Sequence, residues 1–316
     1  MTWVAWRLQR TETLIMAGVL ALLMALLIPS GIQMASAYHH DGVAACIGAA
    51  KSSPACGNVL GNFLSRFEPI RNATIWLTLL PGLIGVSFAA PLVLDLEHGT
   101  HRLAWTQSIT RRRWLAGKIG VAVVAALLST LALALLLIWW RTPFRDINGR
   151  IDPSEYDAEG IVAYGYTLFA LGLAMAIGVL WRRAVPAVVV AFLGYFGLRI
   201  FVDAWLRERL ISPVSTTWSN STRGPNLQNA WVLSQTPSDR FGNAIAVRPE
   251  PCGPGILKPG GPHVACFSTH GASYSHAVYH PASHFWPLQS VETAMFGGAA
   301  LLLMAFAAWW THERVA

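Results

Sequence analysis

Five histidines, His263, His270, His276, His280 and His284, fall in one polar stretch, and the last three recur at intervals of four. On a helix that spacing would put three imidazoles on one face, the kind of donor set that holds zinc or copper. Pro281 interrupts such a helix, and no Asp or Glu in the stretch completes the set, so surface histidines and no metal are expected. Arg199 and Asp203 stand four apart inside an apolar run. Ionisable residues within a membrane are candidates for a transport path, whereas an i, i+4 pair near a span end neutralises itself and is structural. Cys46 and Cys56 lie in one polar segment, Cys252 and Cys266 in another. Two disulfides in an oxidising compartment are expected, with Cys46–Cys56 and Cys252–Cys266 favoured among the three pairings. Neither G-x-S-x-G nor H-E-x-x-H occurs, and no catalytic residue is assigned. A phosphate loop is missing too: Gly117-Lys118 is followed by Ile119, not by a hydroxyl residue. No cofactor is therefore assigned to this chain, and any ATP and magnesium would be held by another.

The elements that carry these residues are membrane spans. Hydrophobic residues make up 54% of the 316 and charged residues 12%, about half the charge of a soluble domain. Mean hydropathy is +0.44. Six apolar runs read as helices: Leu14–Ala37, Ala73–Leu94, Ile119–Trp140, Gly160–Trp181, Ala184–Leu206 and Thr293–Thr311. The second and third are each 22 residues long, enough at helical rise to cross roughly 30 Å of hydrocarbon. The fold class is thus all-α integral membrane protein, six transmembrane helices with an irregular extracytoplasmic cap. A signal peptide is the other reading of this region, since Leu14–Ile28 is apolar and Ala35-Ser36-Ala37 resembles a cleavage site, but that site lies well beyond the run and an uncleaved first span is expected.

Charge sets the orientation. With the N-terminus inside, ten of the 23 Lys and Arg residues fall in four short inside segments, 1–13, 95–118, 182–183 and 312–316. The much longer outside loops are sparser, as the positive-inside rule requires, and both termini are expected in the cytoplasm. The net charge of +7 is dispersed and split by the membrane, so no nucleic acid partner is expected. Residues 1–13, with Trp3, Trp6, Arg7 and Arg10, read as a cytoplasmic interfacial helix. Residues 14–206 hold spans one to five, with an outer loop at 38–72. The charged loop Arg141–Glu159 reads as solvated, and Arg182–Arg183 as a tight hairpin. Residues 207–288, with ten of the chain's eighteen prolines, read as an irregular disulfide-pinned cap, and 289–316 as the last span and a cytoplasmic tail. Pro81-Gly82, Gly85, Gly165, Gly172, Gly194 and Gly197 read as helix-packing positions.

The most specific stretch is Asp95–Lys118, DLEHGTHRLAWTQSITRRRWLAGK, a basic island with two tryptophans between two spans. Thr100 or Thr106 could cap a short helix there, and Arg111, Arg112 and Arg113 would complement its negative end. The island resembles the first cytoplasmic loop of type-2 ABC transporter permeases and is similar in particular to the actinobacterial group with the run E-H-G-T-H-R-L-A-W-T-Q-S. In that family the loop is a coupling helix that docks in a groove of the ATP-binding subunit. The resemblance implies that role for Glu97, Gly99, Thr100, Arg102, Trp105, Arg111, Arg112, Arg113, Trp114 and Lys118. It also implies a separate ATP-binding cassette subunit, a second copy of the permease chain in a homodimer, and export by alternating access across a bacterial plasma membrane. Contact with anionic membrane lipid is expected at the basic rim. The alternatives are a membrane-anchored ligand or metal sensor, or an assembly protein, acting through the outer cap, and a membrane enzyme using Arg199, Asp203 and the cap histidines.

Overall fold

The computed structural model describes residues 2–47, 54–99, 110–157, 159–222, 224–225, 227, 229–245 and 273–314, with side chains from Arg10 onward except at 54 and 75. Nine helices are described: α1 (Thr2–His40), α2 (Val43–Cys46), α3 (Pro54–Ile75), α4 (Leu80–Glu97), α5 (Arg111–Asn148), α6 (Pro153–Tyr156), α7 (Val162–Trp181), α8 (Ala184–Phe201) and α9 (Phe285–Arg314). Six helical stretches are long and apolar enough to cross a membrane: Arg10–His40, Ala55–Glu97, Arg111–Asn148, Val162–Trp181, Ala184–Arg209 and Ala282–Arg314. Each contains most or all of one run read from sequence, and most extend beyond it. The protein is a multi-pass membrane protein.

Helix α7 is central and packs against α4, α5, α8 and α9, while α1 lies along α4 and α5. Lipid tails are as apolar as leucine, so these helices gain little from hydrophobic burial against one another and depend on close approach and polar contacts. Gly85 of α4 meets the backbone of Thr167 and Leu171 in α7, and Gly172 of α7 lies where a Cβ would come within 2.9 Å of Ala300 O in α9. The buried hydroxyls of Thr130 in α5 and Thr167 in α7 hydrogen-bond at 2.8 Å. Trp140 Nε1 of α5 donates to Ser30 Oγ of α1 at 3.0 Å. Of the glycines expected to pack, Gly197 has nothing within 4 Å of where its Cβ would stand.

Local chemistry explains the element ends. Pro81 sits in the first turn of α4, where its missing N–H costs nothing, and a 3-10 turn at Trp76–Leu79 precedes it. Thr110 caps α5 by accepting from Arg113 N, and Asp152 caps α6 by accepting from Ser154 N. Arg182, in the left-handed region at φ 53, turns the chain from α7 into α8 over the two residues expected. Residues 2–13 continue without a break into the first span, instead of forming a separate helix.

The cap corrects the expectation of irregularity. Its described residues form a three-stranded antiparallel sheet in the order β1-β3-β2, with β1 (Val214–Ser219), β2 (Trp231–Ser238) and β3 (Tyr274–His280). The strands VSTTWS, WVLSQTPS and YSHAVYH are short and rich in β-branched and aromatic residues, a signal diluted in sequence by the surrounding prolines. Cys46 and Cys56 form a disulfide between α2 and α3. Cys252 and Cys266 lie outside the described residues.

Candidate functional site

One end of the bundle carries the basic island. Helix α4 stops there because Gly99 adopts φ +70 just after His98, whose N–H bonds to Leu94 O, the left-handed ending that glycine permits. Glu97 reaches across to α8, and its Oε2 accepts from Ala184 N at 2.7 Å, satisfying a helix-terminal N–H and placing a carboxylate at the positive end of that helix. Lys118 of α5 is buried, ion-paired with Asp95 of α4 and 5.9 Å from the ring of Trp114. Trp114 is buried as well, whereas Arg111, Arg112 and Arg113 are exposed on the first turn of α5. Arg111 donates to His312 O near the end of α9, and Arg182 to Arg314 O, so the ends of α4, α5, α7, α8 and α9 meet here. Thr100, Arg102 and Trp105 lie outside the described residues, as does any short helix capped by Thr100 or Thr106.

The other end, below the sheet, holds a cluster that sequence reasoning only touched. Arg207, 1% exposed, donates from Nη2 to Asp157 Oδ1 at 2.8 Å and to Tyr166 Oη at 3.1 Å, and from Nε to Glu292 Oε2 at 3.1 Å. It also pairs with Asp203. Tyr166 donates to Glu292. Arg199 is ion-paired with Asp157, its guanidinium lies 4.4 Å from the Tyr166 ring centroid, and it approaches Asp203 only to 3.9 Å. The expected Arg199–Asp203 pair is therefore interleaved: Arg199 is matched with Asp157, and Asp203 with Arg207. The chain widens into a π turn at Val202–Leu206, the segment that carries Asp203. Burial alone would raise the Asp157 carboxyl, but Arg199 and Arg207 outweigh it and hold it below the usual carboxylate range.

Beside this cluster, the charged loop expected to be solvated is partly withdrawn from water, with Arg141, Glu155 and Glu159 buried and most of its other charged residues half-buried. Arg141, 1% exposed, donates to Glu155 Oε2 at 3.3 Å and to Thr74 Oγ1 at 3.2 Å. Arg71 donates to Ser154 Oγ at 2.6 Å, and Glu159 is paired with Arg150 at 2.9 Å and Arg145 at 3.5 Å. Burial raises the Glu155 carboxyl against the pull of Arg141 and Arg71. Gln289 of α9 completes the seal. Its Oε1 accepts from Ile161 N at 3.0 Å and Val162 N at 2.9 Å, while its Nε2 donates to Tyr156 O and Glu159 O, each at 3.0 Å. Four main-chain groups of the loop are thus satisfied by one side chain. The loop has to bury because it fills the space among α3, α5, α7 and α9, and acids and bases that desolvate together must find one another.

The last three histidines do not share an α-helix. His276 and His280 lie on β3, and His284 in a 3-10 turn. His276 Nδ1 is 2.9 Å from Thr217 Oγ1, and His280 Nδ1 is 3.1 Å from His284 Nδ1, with its Nε2 3.2 Å from Glu208 O. Burial lowers the His280 imidazole. His263 and His270 lie outside the described residues, and among those described no group of three His, Cys, Asp or Glu is placed to hold a metal.

Arg207, Glu292, Asp157 and Tyr166 were missed. A sequence signal existed: Arg207 and Glu292 each stand one residue beyond a span as it was read, and helices usually outrun the apolar stretch that reveals them. A family model described as ABC-2 membrane transporter related matches residues 17–207, more than half of the chain. No curated protein and no solved structure matches it.

Proposed function

The chain belongs to the ABC-2 membrane transporter related family, and from that membership we propose that it is the membrane-spanning subunit of an ATP-driven exporter whose hydrolysis is performed by a separate ATP-binding subunit. Permeases of this family are normally non-enzymatic. Two permease copies, as a homodimer, pair with two ATP-binding subunits, which hold the ATP and magnesium. The basic end and both termini face the cytoplasm of a bacterial plasma membrane, and the sheet end faces outward. Asp95–Lys118 is the segment the ATP-binding subunit grips.

The observation that carries this reading is the Glu97–Ala184 tie beside the Asp95–Lys118 pair. The connection from α4 to α5 is fastened at its start to α8 and across its base between α4 and α5. A displacement of that connection is passed to three spans at once, which is what converting closure of a soluble subunit into helix tilt requires. Outward release further requires the opposite end to part at Arg207 and its carboxylates.

Affinity purification of the full chain from its native membrane, in mild detergent, with mass spectrometry of the recovered proteins, tests this. A stoichiometric soluble protein bearing a phosphate loop is expected, and its loss is expected when Glu97 becomes Lys and Arg111–Arg113 become Gln. Membrane insertion should persist in that variant. Recovery of the wild-type chain alone, under conditions that preserve a known transporter complex, would sink the reading.

A further inference from the structure

A cleft opens at the basic end between the start of α5 and the end of α9, with a volume of about 530 Å³. That lies within the roughly 300–1,000 Å³ of small-molecule sites. Its walls are apolar, with Leu115, Ile119 and Gly120 on one side and Trp309 on the other. Nothing stands within 4 Å of where a Gly120 Cβ would be, so the wall is open at that turn. Trp309 is 53% exposed. Arg111 and Arg112 form the rim. Arg111 reaches His312 O at 3.5 Å, and Arg112 has no ion-pair partner among the described residues. The acidic residue lining the cleft, Glu313, has His312 Nδ1 at 3.1 Å as its own neighbour.

We propose that this cleft binds one anionic phospholipid, with the phosphate held by Arg111 and Arg112 and an acyl chain laid along Ile119, Gly120 and Trp309. Guanidinium groups match phosphate in geometry as well as charge. The rim stands where two spans begin and end, the depth of lipid headgroups, and the apolar walls run inward from it at the depth of the tails. An exposed tryptophan at that boundary suits the same layer. A second copy of the chain fits less well, because twofold packing through this face would set one arginine rim against its duplicate. The lipid would sit as a wedge between α5 and α9 beside the gripped segment. The inference does not depend on the transport reading, since lipid retention is measured on the chain alone.

Native mass spectrometry of the full chain in mild detergent, with phosphatidylglycerol, phosphatidylcholine or diacylglycerol added, tests it. One phosphatidylglycerol retained per chain, in about tenfold preference to phosphatidylcholine, is expected, because the choline ammonium beside the shared phosphate would set a like charge against Arg111 and Arg112. R111Q/R112Q should lose that preference. Gly120→Phe keeps both arginines, fills an open, exposed position, and should expel the lipid by blocking its chain. Equal retention of the two phospholipids, unchanged retention in both variants, or displacement of the lipid by glycerol phosphate would overturn the proposal. Cross-linking of Ala116→Cys between copies, with no lipid retained, would overturn it by giving the cleft to a second chain.

Discussion

The two ends of this bundle use the same residue types in opposite ways. Below the sheet, Arg141, Arg207, Glu155, Glu159 and Glu292 are each at most 3% exposed, and Arg207 alone contacts Asp157, Tyr166, Asp203 and Glu292. At the basic end, Arg111, Arg112 and Arg113 are exposed, and the cross-links Glu97–Ala184, Arg111–His312 and Arg182–Arg314 are single hydrogen bonds. Buried charges that have given up water are costly to separate, while exposed ones exchange protein partners for solvent at little cost. One end is thus costly to part and the other yields readily. Lys118, buried and paired with a half-buried Asp95, is the point on the basic end that most resembles the other side.

The largest test of that contrast is Arg207→Met. It leaves Asp157, Asp203 and Glu292 without their shared cation and should cost about 3–5 kcal/mol of stability, read as a melting shift in detergent. Arg112→Met at the other end should stay within about 0.5 kcal/mol. Equal shifts would erase the distinction. Next comes the Cys46–Cys56 bridge, whose sequence separation is 10. Replacing both with serine should cost roughly 2–3 kcal/mol by the loop-closure argument, and reductant should lower the wild-type melting point by the same amount without moving the variant. The smallest effect concerns acid. His280 is held neutral by burial, so the unfolded chain binds the extra proton. Stability of the sheet end should therefore be flat at neutral and higher pH and fall as pH drops through the ordinary histidine value of about 6.5. Hydrogen exchange in β3 should accelerate over that window while exchange in α5 near Arg111 does not. The reverse order would place the acid-sensitive element at the wrong end.

Composition and hydropathy made the spans legible, since a 22-residue apolar run between charged segments has few other readings in a chain 54% hydrophobic. The Cys46–Cys56 bridge and the Arg182–Arg183 hairpin were legible for similar local reasons. The buried network was not. Its members come from a loop, from several different helices and from the π and 3-10 turns that follow α8, and only the fold brings Asp157 to Arg207 and Glu292. Charge in a short loop ordinarily means water, and nothing local in Arg141–Glu159 distinguishes a solvated acid from one that meets an arginine on another helix. The sheet was hidden for a different reason: three short strands spread over residues 214–280 pair out of chain order, and proline-rich sequence surrounds them. For the run from Glu97 to Lys118, spacing assigns no role, and the coupling role rests on resemblance alone.

Gln289 imposes an order on the birth of the molecule. The amide groups of Ile161 and Val162 and the carbonyls of Tyr156 and Glu159 are met by a residue that leaves the ribosome 127 to 133 positions after them. Until then those groups must keep water, and α7 cannot seat its first turn dry. Glu292 follows three residues later and brings Arg207 its buried carboxylate. Five spans can therefore be threaded into the bilayer while that end stays wet and open. The last helix is the stopper, and a nascent chain halted before it would present quality-control proteases with an unfinished polar mouth.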